Sequence, residues 1–266
     1  MNILQAAILG IVQGLTEFLP VSSSGHLVLF QKILGTQTSS LFFDTMLHLG
    51  TLVAVVFVFW KDIVEILRHP LKKPFWLLVV ATVPAILAAL LFGDFFEGAY
   101  EGKFLAFGFL TTGLLLAVAE LVSEISMRKR LNMKFSDAVI IGCMQAVAIL
   151  PGVSRSGSTL TGGLFCGIER NKAANFAFLM SVPVILGSVV YQGYDIVKTG
   201  AQITDVVPTI VGVVFAAVSG FFAVRFMLGV IKKHKLIGFA IYVAILGILV
   251  LIDQLFTHIV FTNPFI

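Results

Sequence analysis

Charge is scarce in this chain. Only 12% of its 266 residues are Asp, Glu, Lys or Arg, while 58% are hydrophobic and the mean hydropathy is +1.03. A soluble domain of this size cannot hide so much apolar surface, so part of its solvent has to be lipid. Cysteine is nearly absent. Cys143 and Cys166 both sit in apolar stretches without CxxC spacing, which argues against a disulfide framework and predicts two reduced core residues. Period-2 alternation is missing too, which excludes a transmembrane barrel. Residues 1–20 end in Glu-Phe-Leu-Pro rather than in a small-residue cleavage site, so no cleavable signal is expected. The net charge of +4 resides in short loops, where membrane topology explains it better than nucleic acid does.

What the chain does have is apolar length. Stretches of about 20 residues, enough to cross ~30 Å of hydrocarbon, recur along it. Six read as spans: 40–60, 75–93, 103–124, 172–192, 207–230 and 237–257. The loops between them alternate in charge. Lys61, Arg68, Lys72 and Lys73 share one loop, and Arg128, Lys129, Arg130 and Lys134 another. Arg170 and Lys172 precede the fourth span; Lys232, Lys233 and Lys235 follow the fifth. The alternate loops carry Lys32, Lys103 and Lys198 beside Asp94, Glu97, Glu101, Asp195 and Asp205. All four basic groups thus fall on one side, cytoplasmic by the positive-inside rule, with both termini outside. Arg225 is near the inner end of its span and can snorkel, but no span end explains Arg155.

Two segments remain, 2–34 and 136–168. Each is an apolar helix broken at proline, at Pro20 and at Pro151-Gly152, and followed by a shorter apolar piece. Each reads as a re-entrant hairpin, a form tolerated at membrane depth only where protein or water surrounds the broken backbone. The two resemble each other. Gly10, Gln13 and Val21-Ser22-Ser23-Ser24-Gly25 match Gly142, Gln145 and Val153-Ser154-Arg155-Ser156-Gly157 at an offset of 132. The expected fold is therefore an all-α polytopic membrane protein, a single membrane domain over 1–266. Six transmembrane helices and two re-entrant hairpins would form an inverted repeat of about 1–125 and 136–257. Such repeats place their working site near the midplane, where the breaks meet.

The polar residues of the breaks are the candidates. Gln13 and Glu17 share a helix face, and a carboxylate at hydrocarbon depth is expected to point into a protein cavity. Ser22, Ser23 and Ser24 exceed what one N-cap needs, and His26 lies in the next turn. In the second segment Ser154, Arg155, Ser156 and Thr159 surround a helix N-terminus, a setting that favours anions, with a guanidinium able to grip phosphate oxygens bidentately. An acid/base pair, Glu17 and His26, opposite such a clamp suggests phosphoryl chemistry on an amphiphile with an anionic head. A transporter for such an anion uses the same architecture, alone or combined with hydrolysis, and the sequence leaves both classes open. Asp44 and His48, four apart, either line the cavity or pair structurally. Glu120 and Glu124 read as interfacial.

Gln13-Gly-Leu-Thr-Glu17-Phe-Leu-Pro-Val-Ser-Ser-Ser-Gly-His26 and Pro151-Gly-Val-Ser-Arg-Ser-Gly-Ser-Thr159 resemble the two signature regions of the bacterial undecaprenyl-diphosphate phosphatase family, BacA/UppP. The resemblance covers essentially the whole chain. It implies an inner-membrane enzyme that converts undecaprenyl diphosphate to the monophosphate, recycles that carrier for cell-wall glycan synthesis, and confers bacitracin resistance, with its site open to the outer face. It implies Glu17, His26, Ser23 and Arg155 as catalytic residues, and Ser22, Ser24, Ser154, Ser156, Thr159 and Gln13 around the phosphates. It also implies a divalent cation, Mg²⁺ or Ca²⁺, on Glu17. Gln13 stands where many members carry Glu, which removes one carboxylate from that site. Ser23, His26 and water all remain open as nucleophile. The partners expected are a polyprenyl diphosphate and membrane lipids, with no nucleic acid; oligomeric state is not readable, and a homodimer is compatible with the sequence.

Overall fold

The computed structural model describes residues 1–36, 41–125, 129–199 and 206–261. Arg128, Asp205 and the first residue of the expected 40–60 span lie outside them. The described residues form helices joined by short turns, with one isolated bridge between Arg130 and Ile168. Five helices are long and apolar enough to span a membrane: α5 (Lys73–Leu91), α7 (Leu105–Ile125), α10 (Arg170–Thr199), α11 (Val206–Lys233) and α12 (Ile237–Ile252), which continues through a π turn at Asp253–Thr257. A sixth is complete only if α3 (Leu41–Val58) is joined to α4 (Trp60–Arg68), which leaves it at 82°. The protein is thus a multi-pass, all-helical membrane protein. A short helix, α6 (Gly93–Ala99), precedes α7.

The two segments left over as hairpins are two helix pairs, α1 (Ile3–Phe18) with α2 (Ser23–Ile33), and α8 (Phe135–Val147) with α9 (Arg155–Phe165). Local chemistry sets their ends. Asn2 caps α1 by accepting from the Gln5 N–H at 2.8 Å, while the Gln5 amide oxygen accepts from the Asn2 N–H at 2.9 Å, a reciprocal capping box. α1 stops at Phe18 because Pro20 offers no N–H to continue it. α2 then starts from Ser22, a non-glycine residue held at φ 70°. The matching Ser154 caps α9. Each cap oxygen accepts from the glycine N–H three residues on, Ser22 from Gly25 at 3.3 Å and Ser154 from Gly157 at 3.1 Å.

Close backbone approach assembles these pieces. α1 packs on α11 with Gly10 against the Gly212 backbone, and α8 packs on α5 with Gly142 against the Ala81 backbone; a Cβ at either glycine would strike a carbonyl. Half of the α7 span is buried, against 22% for α5 and 28% for α11 and α12, so α7 is the central pillar. It touches both breaks: Phe109 packs on Gly25, and the Thr112 hydroxyl donates to the Gly152 carbonyl at 2.8 Å and accepts from the Ser154 N–H at 2.9 Å. Gly152 needs no side chain there, since its φ is 90°.

One expectation changes. Cys143 is exposed on the outer face of α8 rather than in the core, because Gly142 takes the side of the helix that meets α5. Glu120, toward the basic end of α7, is buried by its partners. It holds Arg170 with bonds of 3.0 and 2.5 Å and accepts from the Leu236 N–H at 2.6 Å, tying α7, α10 and the start of α12 together. Glu124 does lie in the exposed setting expected of it, paired with Lys235.

Two stability predictions follow from this packing. Arg170→Ala leaves the Glu120 charge buried without its partner and is expected to cost about 3 kcal/mol. Gly10→Val and Gly142→Val, each forcing a side chain into a facing backbone, are expected to cost about 3 kcal/mol as well. Thermal unfolding of the purified protein in detergent checks all three; an unchanged midpoint in any of them contradicts the packing described.

Candidate active site

Glu17 collects the site. Its side chain is 2% exposed at the end of α1, in surroundings where an ionised carboxylate needs partners for all its lone pairs. Its Oε1 faces the Arg155 guanidinium at 2.5 Å, across 138 residues of chain. Its Oε2 accepts from the Ser23 hydroxyl at 2.5 Å and from the Gln13 amide at 2.9 Å. His48 Nε2, from α3, lies 3.5 Å from the same oxygen. One carboxylate therefore joins both helix pairs and α3. The pairs are also bonded directly, the Ser156 hydroxyl donating to the Leu19 carbonyl at 2.9 Å.

The remaining candidates divide. The Ser154 oxygen is committed to its cap, the Ser156 hydroxyl to Leu19, and the Thr159 hydroxyl to the Arg155 carbonyl at 2.8 Å. These three shape the α9 terminus rather than presenting free hydroxyls. What that terminus offers is the Arg155 side chain, 16% exposed, and the backbone N–H groups of its first turn. Ser22 caps α2 and lies 3.3 Å from Ser24.

His26 bonds elsewhere than expected of an acid/base partner of Glu17. Its Nδ1 is 2.7 Å from the Ser22 carbonyl, which can only accept, so Nδ1 carries the proton. Nε2 then accepts from the Tyr242 hydroxyl at 2.8 Å. The ring stacks on Tyr242 and meets Phe109 edge-on. The histidine that approaches Glu17 is His48, whose own Nδ1 donates to the Asp44 carbonyl at 2.7 Å. Asp44 in turn accepts from Gln31 at 2.6 Å. His48 thus links the Asp44 turn of α3 to the Glu17 carboxylate.

Tyr100 and Tyr242 were not legible as site residues. Tyr100, between α6 and α7, hydrogen-bonds Ser24. Burial pushes its hydroxyl up to about 12, with the carboxylates of Asp44 and Glu17 adding to the shift, so it stays a donor at neutral pH. Two of the chain's four tyrosines thus reach the breaks from distant elements, and no sequence signal marked them. Nothing marked Thr112 either.

A divalent cation has a limited donor set here. Among the described residues no three His, Cys, Asp or Glu side chains converge as a metal cage. Among the described residues Glu17 Oε1 has Arg155 as its one partner and keeps a lone pair, and the neighbouring serines supply hard oxygens. That set suits Mg²⁺ or Ca²⁺ only when phosphate oxygens and water complete the shell.

The chain matches the family described as "Bacitracin resistance protein BacA" over residues 6–249. It belongs to the BacA family. A protein of Carboxydothermus hydrogenoformans named "Undecaprenyl-diphosphatase" is 47% identical over 258 residues, covering 96% of this chain and 98% of that protein. One of the same name from Halothermothrix orenii is 41% identical, covering 95% and 98%. "Undecaprenyl-diphosphatase 4" of Bacillus thuringiensis subsp. konkukian is 43% identical, covering 96% and 98%. Both helix breaks that Glu17 joins lie within the span matched to the BacA family.

The joint can be measured. Glu17→Ala leaves the Arg155 charge without its partner and is expected to destabilise the protein by about 3 kcal/mol, whereas Glu17→Ala combined with Arg155→Met is expected to recover part of that loss. Strictly additive effects on thermal unfolding would show the two residues to be uncoupled.

Proposed function

We propose that the protein is an integral-membrane phosphatase that hydrolyses undecaprenyl diphosphate to undecaprenyl phosphate and inorganic phosphate. It thereby returns the lipid carrier to cell-wall glycan synthesis and confers resistance to bacitracin. One observation carries the chemistry: the Glu17 carboxylate holds the Ser23 hydroxyl and the Arg155 guanidinium at 2.5 Å each. A nucleophile, its base and a phosphate clamp thus meet on one side chain.

The residues divide the reaction as follows. The terminal phosphate draws Arg155 from Glu17, and the guanidinium and α9 N–H groups take its negative charge. Glu17 accepts the Ser23 proton as Oγ forms its bond to the terminal phosphorus, and the bridging P–O bond breaks to release the lipid monophosphate. Glu17 passes that proton to the departing lipid monophosphate; water then attacks the phosphoserine, Glu17 taking its proton and returning it to Ser23 Oγ as inorganic phosphate leaves. Gln13 holds Glu17 in place. His26 fixes the first turn of α2, and so the position of Ser23, through Ser22 and Tyr242. Glu17 would hold Mg²⁺ or Ca²⁺, which would supply neutralisation of phosphate charge.

The proposed setting is an inner-membrane protein built as an inverted repeat of about 1–125 and 136–257, with two re-entrant hairpins, six spans and a site open to the outer face. Equivalent details in the halves support the repeat: the paired Ser22 and Ser154 caps, and the crossed packing of α1 on α11 and α8 on α5 through Gly10 and Gly142. The basic loops support the orientation.

Phosphate release from undecaprenyl diphosphate by the pure protein in detergent tests the proposal. Activity is expected without any compartment; absence of release together with counterflow in proteoliposomes would make the protein a transporter instead. Within that assay, Arg155→Ala is expected to lower turnover at least about 10²-fold. Ser23→Ala and Glu17→Gln are expected to lose turnover by orders of magnitude, and ³²P retained covalently by wild type but not by Ser23→Ala would mark the nucleophile. Tyr242→Phe removes one hydrogen bond from His26 and should cost only about 10-fold.

A further inference from the structure

A cavity lies away from the Glu17 site, at the basic end of the helices. Its volume is about 380 Å³, and it is enclosed by α4, α5, α10 and the segment around Leu131–Met133. Its polar lining includes Lys72, Lys73 and Lys172. Neither Lys72 nor Lys172 has an ion-pair partner among the described residues, and Lys73 rests over the Phe135 ring at 6.0 Å. The other lining is apolar: Leu78 of α5, and Phe176 and Leu179 of α10, all partly buried on spanning helices. A soluble anion has no use for that half of the wall.

The height of the cavity is set by α4. Trp60, Ile63, Val64 and Leu67 fall on one stripe of this helix, and Lys61, Asp62, Glu65 and Arg68 off it. Trp60 and Leu67 are 60% and 62% exposed, and the axis turns 82° from α3. A helix of that character lies in the interface with its apolar stripe in the acyl boundary. The cavity beside it therefore opens at the level of lipid headgroups.

We propose that this cavity binds one anionic glycerophospholipid of the membrane, its phosphate among Lys72, Lys73 and Lys172 and its acyl chains along Leu78, Phe176 and Leu179. Asp62 and Glu65 line the same cavity and set a limit on the charge it accepts. Ile168, just after α9, lines it as well, so the bound lipid braces the base of the helix pair that carries Arg155.

Native mass spectrometry of the full-length protein, purified in detergent and offered phosphatidylglycerol and phosphatidylcholine of equal chain length, tests this. Wild type is expected to retain phosphatidylglycerol preferentially and to unfold at higher temperature with it. Lys72→Gln/Lys73→Gln/Lys172→Gln should lose that preference, by about fivefold per lysine. Asp62→Asn/Glu65→Gln should strengthen it, a shift that a folding defect does not produce. Phosphate release in lipid-free detergent should stay within about twofold of wild type in both variants, since none of these residues belongs to the Glu17 site. Equal retention of the two lipids, a preference that survives the triple substitution, or displacement of phosphatidylglycerol by equimolar inorganic phosphate would each overturn the proposal.

Discussion

The structure depends on how one buried carboxylate is kept charged. Glu17 is enclosed in a part of the protein that is otherwise apolar, and an isolated charge there is not tolerable. Its solution is to recruit Arg155, Ser23 and Gln13, with His48 close by. Each partner belongs to an element that must then be held in place. Arg155 requires the α9 terminus to lie against the end of α1, which requires both helix pairs to break where they do. Ser23 requires α2 to begin one turn after the proline, which requires Ser22 to adopt φ 70°. A non-glycine residue in that region is held there by its surroundings, and such positions cluster at functional sites.

The scaffold meets those demands by removing side chains rather than adding them. Gly10 and Gly142 bring the first helix of each pair against a spanning helix of the opposite half, and α7 stands between the two breaks. In a bilayer helices gain little from excluding lipid, so close packing and interhelical hydrogen bonds must carry association. Thr112 illustrates the second contribution, binding Gly152 and Ser154 at a point where the backbone has left the helix and its polar groups need partners.

Much of this was legible in the sequence, for identifiable reasons. Span lengths follow from the thickness of hydrocarbon, and proline and serine within greasy sequence announce the breaks. Glu17 and Arg155 stood out because charge at that depth has no cheap explanation. The direction of a side chain at a break is another matter. His26 lies one turn from Ser23, yet its bonds run to the Ser22 carbonyl and to Tyr242 of a distant helix rather than to Glu17. The hydroxyls of Ser156 and Thr159 match a phosphate motif and are spent on backbone carbonyls, a choice that only the packed neighbours decide. Tyr100, Tyr242 and Thr112 come from distant elements and carry no local pattern. The 82° turn between α3 and α4 has neither proline nor glycine at it; its trace was the amphipathic stripe from Trp60 to Leu67.

The proposed chemistry also explains why the site is closed on itself. An open guanidinium in a bilayer would be offered phosphate by every phospholipid, and those phosphodiesters far outnumber any diphosphate carrier. With Glu17 on Arg155, an incoming phosphate has to compete with a carboxylate already at 2.5 Å. A phosphodiester brings one negative charge and two ester oxygens. The terminal group of a diphosphate brings more charge and three free oxygens, and it can occupy the guanidinium and the α9 N–H groups together. The internal pair thus raises the threshold for entry, and discrimination arises from a competitor built into the protein as much as from contacts to the substrate. The same exchange that admits the diphosphate takes the guanidinium off Glu17 Oε1, so Glu17 meets the Ser23 proton free of the Arg155 charge only when there is a phosphorus to attack.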